Sequence, residues 1–251
     1  VWGGEDIHVG LYHDEREAIR DASRRTVTHM AQRAGPIDAK TRILDIGSGY
    51  GGSMRHLAAE HGCHCVALNL SEVENERARV MNREQGVADL VEVIDGSFEK
   101  LDFADASFDI VWSQDAILHS GRRGQVLAEV ARVLKPGGRF VMTDPMQADD
   151  CPAGVLEPIL ARIHLESLGS PGFYCRTATE LGLEDLGYED RREQLTRHYS
   201  RVLEELETQA ESLAGKVSAD YIARMKTGLR HWIDGGRKGH LAWGIFLFRK
   251  P

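Results

Sequence analysis

The chain has 251 residues, which is enough for one large α/β domain carrying an insertion. Hydrophobic residues make up 42% and charged residues 28%, and no apolar run approaches the roughly 18 residues that a membrane span needs. The formal net charge of −8 argues against a nucleic-acid-binding surface, which needs a basic footprint. We therefore expect a globular protein that binds neither nucleic acid nor a membrane, as a monomer or small homo-oligomer.

Strands and helices are predicted to alternate from residue 41 onward, after a lid segment and a helix within the first 40 residues. Short β-rich runs predict strands over 42–47, 63–70, 90–96, 108–114 and 139–145. The helical spacing of apolar residues predicts helices over 53–62, 71–86 and 123–138. This alternation is typical of an α/β fold with a parallel, doubly wound sheet.

The pattern changes after Pro145. Residues 152–235 are mostly helical in pattern, with one short strand predicted near 187–195, and the aromatic and β-branched run 241–250 predicts a last strand. The predicted domains are a lid and helix (1–40), a ligand-binding core (41–145), a helical cap insertion (146–186) and the C-terminal part of the core (187–251).

Polar residues stand at the ends of the first five predicted strands. They are Asp45, Asn69, Asp95, Gln114 and Asp144. Right-handed crossovers place the loops that follow parallel strands along one edge of the sheet, and ligands bind at that edge. The sequence therefore predicts a ligand site at the carboxyl ends of the strands.

The glycine loop in ILDIGSGYGGS (43–53) fits two cofactors. Gly47, Gly49 and Gly52 satisfy the dinucleotide pattern G-x-G-x-x-G. Gly47, Gly49 and Gly51 satisfy the D-x-G-x-G-x-G of enzymes that bind S-adenosylmethionine. Asp45 favours the second cofactor modestly, because its carboxylate can meet a cationic amino group directly or through a water.

The second strand does not separate the two cofactors. Asn69 can hydrogen-bond one ribose hydroxyl, and Glu74, one helical turn further on, can accept from another. A nicotinamide-dependent oxidoreductase would also need a proton donor such as Tyr-x-x-x-Lys, which the chain lacks. A third possibility is a binding module of this fold that has no activity.

The four cysteines are Cys63, Cys65, Cys151 and Cys175. Cys63 and Cys65 alternate along an apolar run, as expected of buried structural thiols. No second cluster stands at metal-ligand spacing, so we predict no metal site. Free thiols and the lack of a visible signal peptide indicate a reducing cytoplasm.

Four segments resemble, in order and spacing, the motifs of class I S-adenosylmethionine-dependent methyltransferases. They are ILDIGSGYGGS, VALNLSEVENERA, VIDGSFEKLDFADASFDIVWSQDAILHS and EVARVLKPGGRFVMTDPM. The resemblance implies a seven-stranded Rossmann-like fold whose last strand is antiparallel, and S-adenosylmethionine as cofactor. It implies that the cofactor is bound by Asp45, Gly47, Ser48, Gly49, Asn69, Leu70, Glu74, Asp95, Gly96, Ser97, Phe98 and Gln114.

The closer resemblance is to the sarcosine/dimethylglycine N-methyltransferases, which make the osmolyte glycine betaine. It rests on VWGGEDIHVGLY (1–12), WSQDAILHS (112–120), TDPM (143–146), RHYSRV (197–202) and HWIDGGRKGHLAWGIFLFRK (231–250). Tocopherol-type and sterol-type methyltransferases share the entry and the glycine loop, so a lipid or other small-molecule methyltransferase is the alternative.

The chemistry implied by this resemblance suggests further residues. A substrate carboxylate needs donors, for which we favour Tyr174, His198 and Tyr199 over Arg176 and Arg237. A quaternary ammonium product favours an aromatic cage, for which Trp2 and Tyr12 are candidates. Gln114, His119 and Tyr199 are the predicted catalytic residues, with His119 as a base.

Overall fold

The computed structural model describes residues 4–209, 212 and 215–251. Its main sheet has seven strands, whose order across the sheet is β3 (Val91–Asp95), β2 (His64–Asn69), β1 (Arg42–Ile46), β4 (Phe108–Gln114), β5 (Leu134–Thr143), β9 (Gly244–Arg249) and β7 (Glu184–Asp190). Strands β1 to β5 are parallel, and β9 inserts antiparallel between β5 and β7. The predicted doubly wound sheet with an antiparallel last strand is confirmed.

Nine strands are present in the described residues. They are β1 (Arg42–Ile46), β2 (His64–Asn69), β3 (Val91–Asp95), β4 (Phe108–Gln114), β5 (Leu134–Thr143), β6 (Met146–Gln147), β7 (Glu184–Asp190), β8 (Leu241–Ala242) and β9 (Gly244–Arg249). The short strands β6 and β8 form a separate antiparallel pair.

The helices flank this sheet or cover its carboxyl edge. They are α1 (Ile19–Ala34), α2 (Gly52–His61), α3 (Glu72–Glu84), a 3₁₀ turn (Ile117–His119), α4 (Arg123–Val133), α5 (Glu157–Ile163), α6 (Pro171–Glu180), α7 (Arg192–Thr208) and α8 (Ala219–Arg237). Ser71 caps α3 by accepting a hydrogen bond from Glu74 N, as the capping-box pattern predicts.

Alternation along the strands builds a core on each face of the sheet. On one face, Leu44 and Val111 pack with the apolar side of α4 and with α6. On the other, Ile43 and Ile110 pack with α1 and α2. A third cluster above the carboxyl edge joins α5, α7, α8 and Val9 from the N-terminal segment. These layers leave the carboxyl ends of the strands open to a cavity.

Two predicted boundaries are wrong. The helix predicted to reach residue 138 ends at Val133, and the Lys-Pro-Gly-Gly that follows lies in β5, where Leu134 pairs with Phe108 through an irregular register. Pro136 lacks the N–H that a helix interior needs, which agrees with the earlier end. The strand predicted near 187–195 is β7, and α7 begins at Arg192.

The segment predicted as a cap, 146–186, has two parts of different kind. Helix α5 contributes Ile159 and Leu160 to the cluster above the edge. Helix α6 instead buries Tyr174 and Ala178 in the main core against the sheet. The division of the chain into domains stays a prediction.

Cys63 and Cys65 are buried, as predicted, and their sulfurs lie 3.7 Å apart as free thiols. Among the described residues, no group of three or more His, Cys, Asp or Glu side chains is placed to hold a metal ion. No helix in the described part of the chain is both long and apolar enough to cross a membrane.

Candidate active site

A cavity of about 540 Å³ lies at the carboxyl ends of β1 to β4. That volume is within the usual range for small-molecule sites. Most of the predicted site residues line it: Asp45, Gly47, Ser48, Gly49, Asn69, Leu70, Glu74, Gly96, Ser97, Phe98, Gln114 and His119.

The glycine loop is fixed to the neighbouring strand. Gly47 N and Ser48 N both donate to the carbonyl of Leu68, at 2.8 and 3.1 Å. Gly47 has φ 86°, and a Cβ there would lie 2.4 Å from Cβ of Ala116. Only glycine fits this position, since both the conformation and the close approach exclude a side chain.

Asp45 lies on the cavity wall and is 3% exposed. Among the described residues, no charge or hydrogen bond offsets this burial, which raises the pKa of the carboxyl to about 8. A ligand that brings a positive charge or a donor to Asp45 would favour the ionised form.

The far wall is built by the ends of β2 and β3. Asn69 Nδ2 donates to Glu74 Oε2 at 3.0 Å, and both residues face the cavity. Asp95 does not, although it was predicted as a ligand: it accepts from Asn75 Nδ2 at 2.8 Å and from Arg79 Nη2 at 2.5 Å. These two bonds hold the pKa of Asp95 below its ordinary value and tie β3 to α3.

Gln114 has a fixed amide orientation. Its Oε1 accepts from Ser53 Oγ at 2.6 Å and from Trp112 Nε1 at 2.8 Å. Two donors on the same atom identify it as the oxygen. The buried Nε2 has no partner among the described residues, so Gln114 offers a donor to a ligand in the cavity.

Asp115 is a wall residue to which the sequence analysis gave no role. It adopts φ 52°, which is uncommon for a residue with a side chain. Its Oδ2 accepts from Val9 N at 2.6 Å, and its Oδ1 accepts from Thr143 Oγ1 and Trp243 Nε1, each at 2.8 Å. The only signal in the sequence was an acid directly after the strand-ending Gln114.

His119 lies on the 3₁₀ turn and faces the cavity. Desolvation by the surrounding protein lowers its pKa from the ordinary value, a shift limited by the exposure of the residue to solvent. The turn is fixed by a hydrogen bond from Leu118 N to Asp144 Oδ1 at 3.0 Å. A neutral imidazole placed in this way can accept a proton.

The structure does not bring Tyr12 and His198 into the cavity wall. Tyr12 Oη lies 2.9 Å from Nδ1 of the buried His198, and Gly10 N donates to the same nitrogen at 3.3 Å. Burial lowers the pKa of His198 to about 3, which keeps the ring neutral. The pair ties the N-terminal segment to α7.

Tyr174 and Tyr199 also lie off the cavity wall. Tyr174 is 0% exposed and donates through its hydroxyl to Asp144 Oδ2 at 2.6 Å, because α6 packs on the sheet. Tyr199 packs on Trp232, with ring centroids 5.3 Å apart, and burial raises its pKa above the ordinary value. Trp2 lies outside the described residues.

The segment from Gly4 to Tyr12 contributes four residues to the cavity wall that the sequence did not predict: Glu5, Asp6, Ile7 and His8. Glu5 accepts from the buried Arg55 at 2.6 and 3.0 Å and from Gln85 Nε2 at 2.7 Å. Asp6 pairs with Arg24 at 2.7 Å, and Asp6, Ile7 and His8 line the cavity. The segment predicted as a lid therefore lies over the glycine loop.

Comparison with known proteins agrees with this site. A methyltransferase domain family matches residues 44–142. The chain is 57% identical to a sarcosine/dimethylglycine N-methyltransferase of Halorhodospira halochloris, and the match covers 100% of this chain and 90% of the relative. It is 55% identical to the enzyme of that name from Aphanothece halophytica, with 100% of this chain and 91% of the relative covered. A solved structure from Galdieria sulphuraria, assigned as a sarcosine dimethylglycine methyltransferase, superposes with a TM-score of 0.95 at 44% identity, covering 100% of this chain and 94% of that one.

Full-length identity and the same fold thus agree. The chain belongs to the sarcosine/dimethylglycine N-methyltransferase family.

Proposed function

We propose that the protein transfers methyl groups from S-adenosylmethionine to the amine of sarcosine and N,N-dimethylglycine, giving dimethylglycine and glycine betaine. The observation that carries the proposal is the 57% identity, over the whole chain, to a relative of that name. The cavity supports the proposal, because the glycine loop lines the same cavity as Asp115 and His119.

The cavity residues fit the cofactor. Ser48 Oγ and Gln114 Nε2 are buried polar atoms without a partner among the described residues, as expected of groups that await a ligand. Asp45 offers a carboxylate to a cationic ligand, and Asn69 and Glu74 offer acceptors for ribose hydroxyls. When bound, S-adenosylmethionine supplies an electrophilic methyl group on a positively charged sulfur.

The remaining task of the protein is to place the amine. The nitrogen lone pair forms the new bond to the methyl carbon while the carbon–sulfur bond breaks, and its electron pair stays on sulfur. Alignment of this kind lowers the activation free energy by up to roughly 7–11 kcal/mol in favourable intramolecular cases. Asp115, oriented by three donors, faces the cavity and would stabilise the positive charge that develops on nitrogen.

Both substrates are mainly ammonium ions near neutral pH, so each must lose one proton from nitrogen before its lone pair can attack. Neutral His119 can accept this proton. The amine can also lose it in solution before it binds, so a strong general base is not obligatory. Deprotonation before attack is therefore required equally for sarcosine and for dimethylglycine.

Supplying labelled S-adenosylmethionine together with a substrate panel tests the proposal. The panel holds glycine, sarcosine, dimethylglycine, phosphoethanolamine and a prenylated phenol. We expect label in the products of sarcosine and dimethylglycine. Label only in the phenol would support the lipid-type alternative, and tight NADH binding without S-adenosylhomocysteine binding in calorimetry would reject methyl transfer.

A further inference from the structure

Four residues that line the cavity each have a buried polar atom without a hydrogen-bond partner among the described residues. The atoms are Ser48 Oγ in the glycine loop, and Asp6 Oδ1, His8 Nε2 and Gln114 Nε2. Asp6 is 4% exposed and His8 is 7% exposed. Buried polar groups in folded proteins almost always have a partner, so the last three atoms, which come from two separate segments of the chain, indicate a ligand.

The three atoms lie around the first turn of α2. Asp6 approaches this turn so closely that a Cβ on Gly52 would lie 2.5 Å from Asp6 Oδ1. His8 Nε2 is 3.9 Å from the same oxygen. Gln114 is held there by Ser53 Oγ, the second residue of the helix. Helix α2 also lacks a side-chain cap, so its first N–H groups favour negative charge.

The arrangement combines two acceptors with one donor. Asp6 Oδ2 is already paired with Arg24, so Oδ1 is the available oxygen. His8 Nδ1 lies 3.4 Å from the carbonyl of Val9, to which it can donate, so Nε2 of the neutral ring is an acceptor. Among the described residues that line the cavity there is no lysine or arginine, so an anionic ligand group must be met by a neutral donor such as Gln114 Nε2. Acceptors beside a donor match a free amino-acid end, which carries an ammonium next to a carboxylate.

We propose that Asp6, His8 and Gln114 bind the amino-acid end of the cofactor. Asp6 Oδ1 and His8 Nε2 accept from the α-ammonium, and Gln114 Nε2 donates to the α-carboxylate. The ammonium has three N–H groups, so Asp6 adds to Asp45 rather than replacing it. This inference rests on the proposed use of S-adenosylmethionine but not on the identity of the methylated amine.

Calorimetry with two ligands tests the inference on the full chain. S-Adenosylhomocysteine carries the amino-acid end, whereas 5′-methylthioadenosine keeps the adenosine and the thioether but lacks that end. The variants are Asp6→Asn and His8→Asn, and His29→Asn on the outer side of α1 is the matched control. Each site variant should lose about tenfold or more in affinity for S-adenosylhomocysteine, as expected for a lost hydrogen bond to a charged group.

The affinity for 5′-methylthioadenosine should stay within about twofold of wild type in every variant, a change too small for a lost hydrogen bond. Equal losses for both ligands would show a distorted wall and overturn the inference, as would an unchanged affinity for S-adenosylhomocysteine. If wild type fails to bind S-adenosylhomocysteine, the proposed cofactor fails as well. If the ligand selectivity holds but dimethylglycine is not methylated, only the proposed substrate is wrong.

Discussion

Asp45 is a carboxyl that the folded chain buries without compensation from the described residues. Burial raises its pKa to about 8, whereas an unfolded chain would keep it near 4. The stability that its protonated form contributes is therefore fully present below about pH 4 and is lost as the pH rises to about 8. Above that range the ligand-free protein carries the full cost of a buried charge.

Asp45→Asn should stabilise the ligand-free protein near pH 9 and weaken cofactor binding. The neutral amide avoids the buried charge, and each unit of pKa shift corresponds to about 1.4 kcal/mol. Thermal midpoints at about pH 5 and about pH 9 check the first effect, which should grow with pH. Calorimetry with S-adenosylhomocysteine checks the second, and Asp109→Asn is the control, since that carboxyl pairs with Lys135 near the amino end of β4, away from the cavity wall. An Asp45→Asn variant with wild-type affinity would contradict the assigned role.

His119→Asn should slow both methylation steps. We expect kcat for sarcosine and for dimethylglycine to fall by about 10²-fold near neutral pH, a typical loss for a missing proton acceptor. The loss should shrink as the pH is raised, because an amine that is already deprotonated in solution needs no acceptor. Steady-state kinetics with each substrate over a range of pH measure this, and His64→Asn, an exposed histidine at the amino end of β2, is the control. A loss of the same size at every pH would show that His119 positions ligands instead.

The N-terminal segment acts at the scale of an element. Its contacts reach α1, α2, α3, α7 and Asp115, so one extended stretch closes several parts of the cavity wall. The Glu5–Arg55 pair is the part most sensitive to change, because the Arg55 side chain is almost completely buried. Removing one partner of a buried pair is costly, since the other charge is left uncompensated.

Glu5→Gln should loosen the segment and lower cofactor affinity. Hydrogen exchange over residues 4–12 should become about tenfold faster if the opening free energy falls by about 1.4 kcal/mol. The matched control is Glu184→Gln, which removes an exposed pair with Arg249 at the edge of the sheet and should change neither exchange nor affinity. Unchanged exchange in the Glu5 variant would show that the segment is held by its other contacts.

The predicted elements follow from local patterns, and their errors have local causes. Strand-ending polar residues and glycine stops placed β1 to β4 within one or two residues. The helix over 123–138 was expected to stop at Pro136 and the two glycines after it, but it ends at Val133, because Leu134 pairs with Phe108 of β4 and the residues that follow belong to β5. Tyr174 was expected at a ligand because its loop is rich in glycine, yet α6 turns it into the core.

At the scale of the molecule, the glycine-loop side of the cavity was predictable and the N-terminal wall was not. Asp45, the glycines and Gly96–Phe98 stand in contiguous motifs directly after strands, where topology alone brings them together. Asp6 and His8 reach the cavity through contacts that join residues far apart in the chain, such as Val9 with Asp115 and Gly10 with His198. A single sequence does not indicate which residues far apart in the chain will be in contact.

The charge distribution of the whole chain agrees with a cationic cofactor. The net charge is −8, and the described cavity wall carries carboxylates but no lysine or arginine. Such a wall attracts a positively charged ligand and repels doubly charged anions. A phosphorylated amine, whose phosphate carries up to two negative charges, should therefore be a poor substrate compared with an amino acid, whose carboxylate carries one.

A competition assay tests the central claim most directly. Purified protein is given S-adenosylmethionine with equal concentrations of dimethylglycine and phosphorylated dimethylethanolamine, and the products are followed together by proton NMR. We predict that glycine betaine accumulates with one equivalent of S-adenosylhomocysteine while the phosphorylated amine is unchanged. Methylation of the phosphorylated amine in preference to dimethylglycine, or cofactor turnover without betaine, would contradict the account.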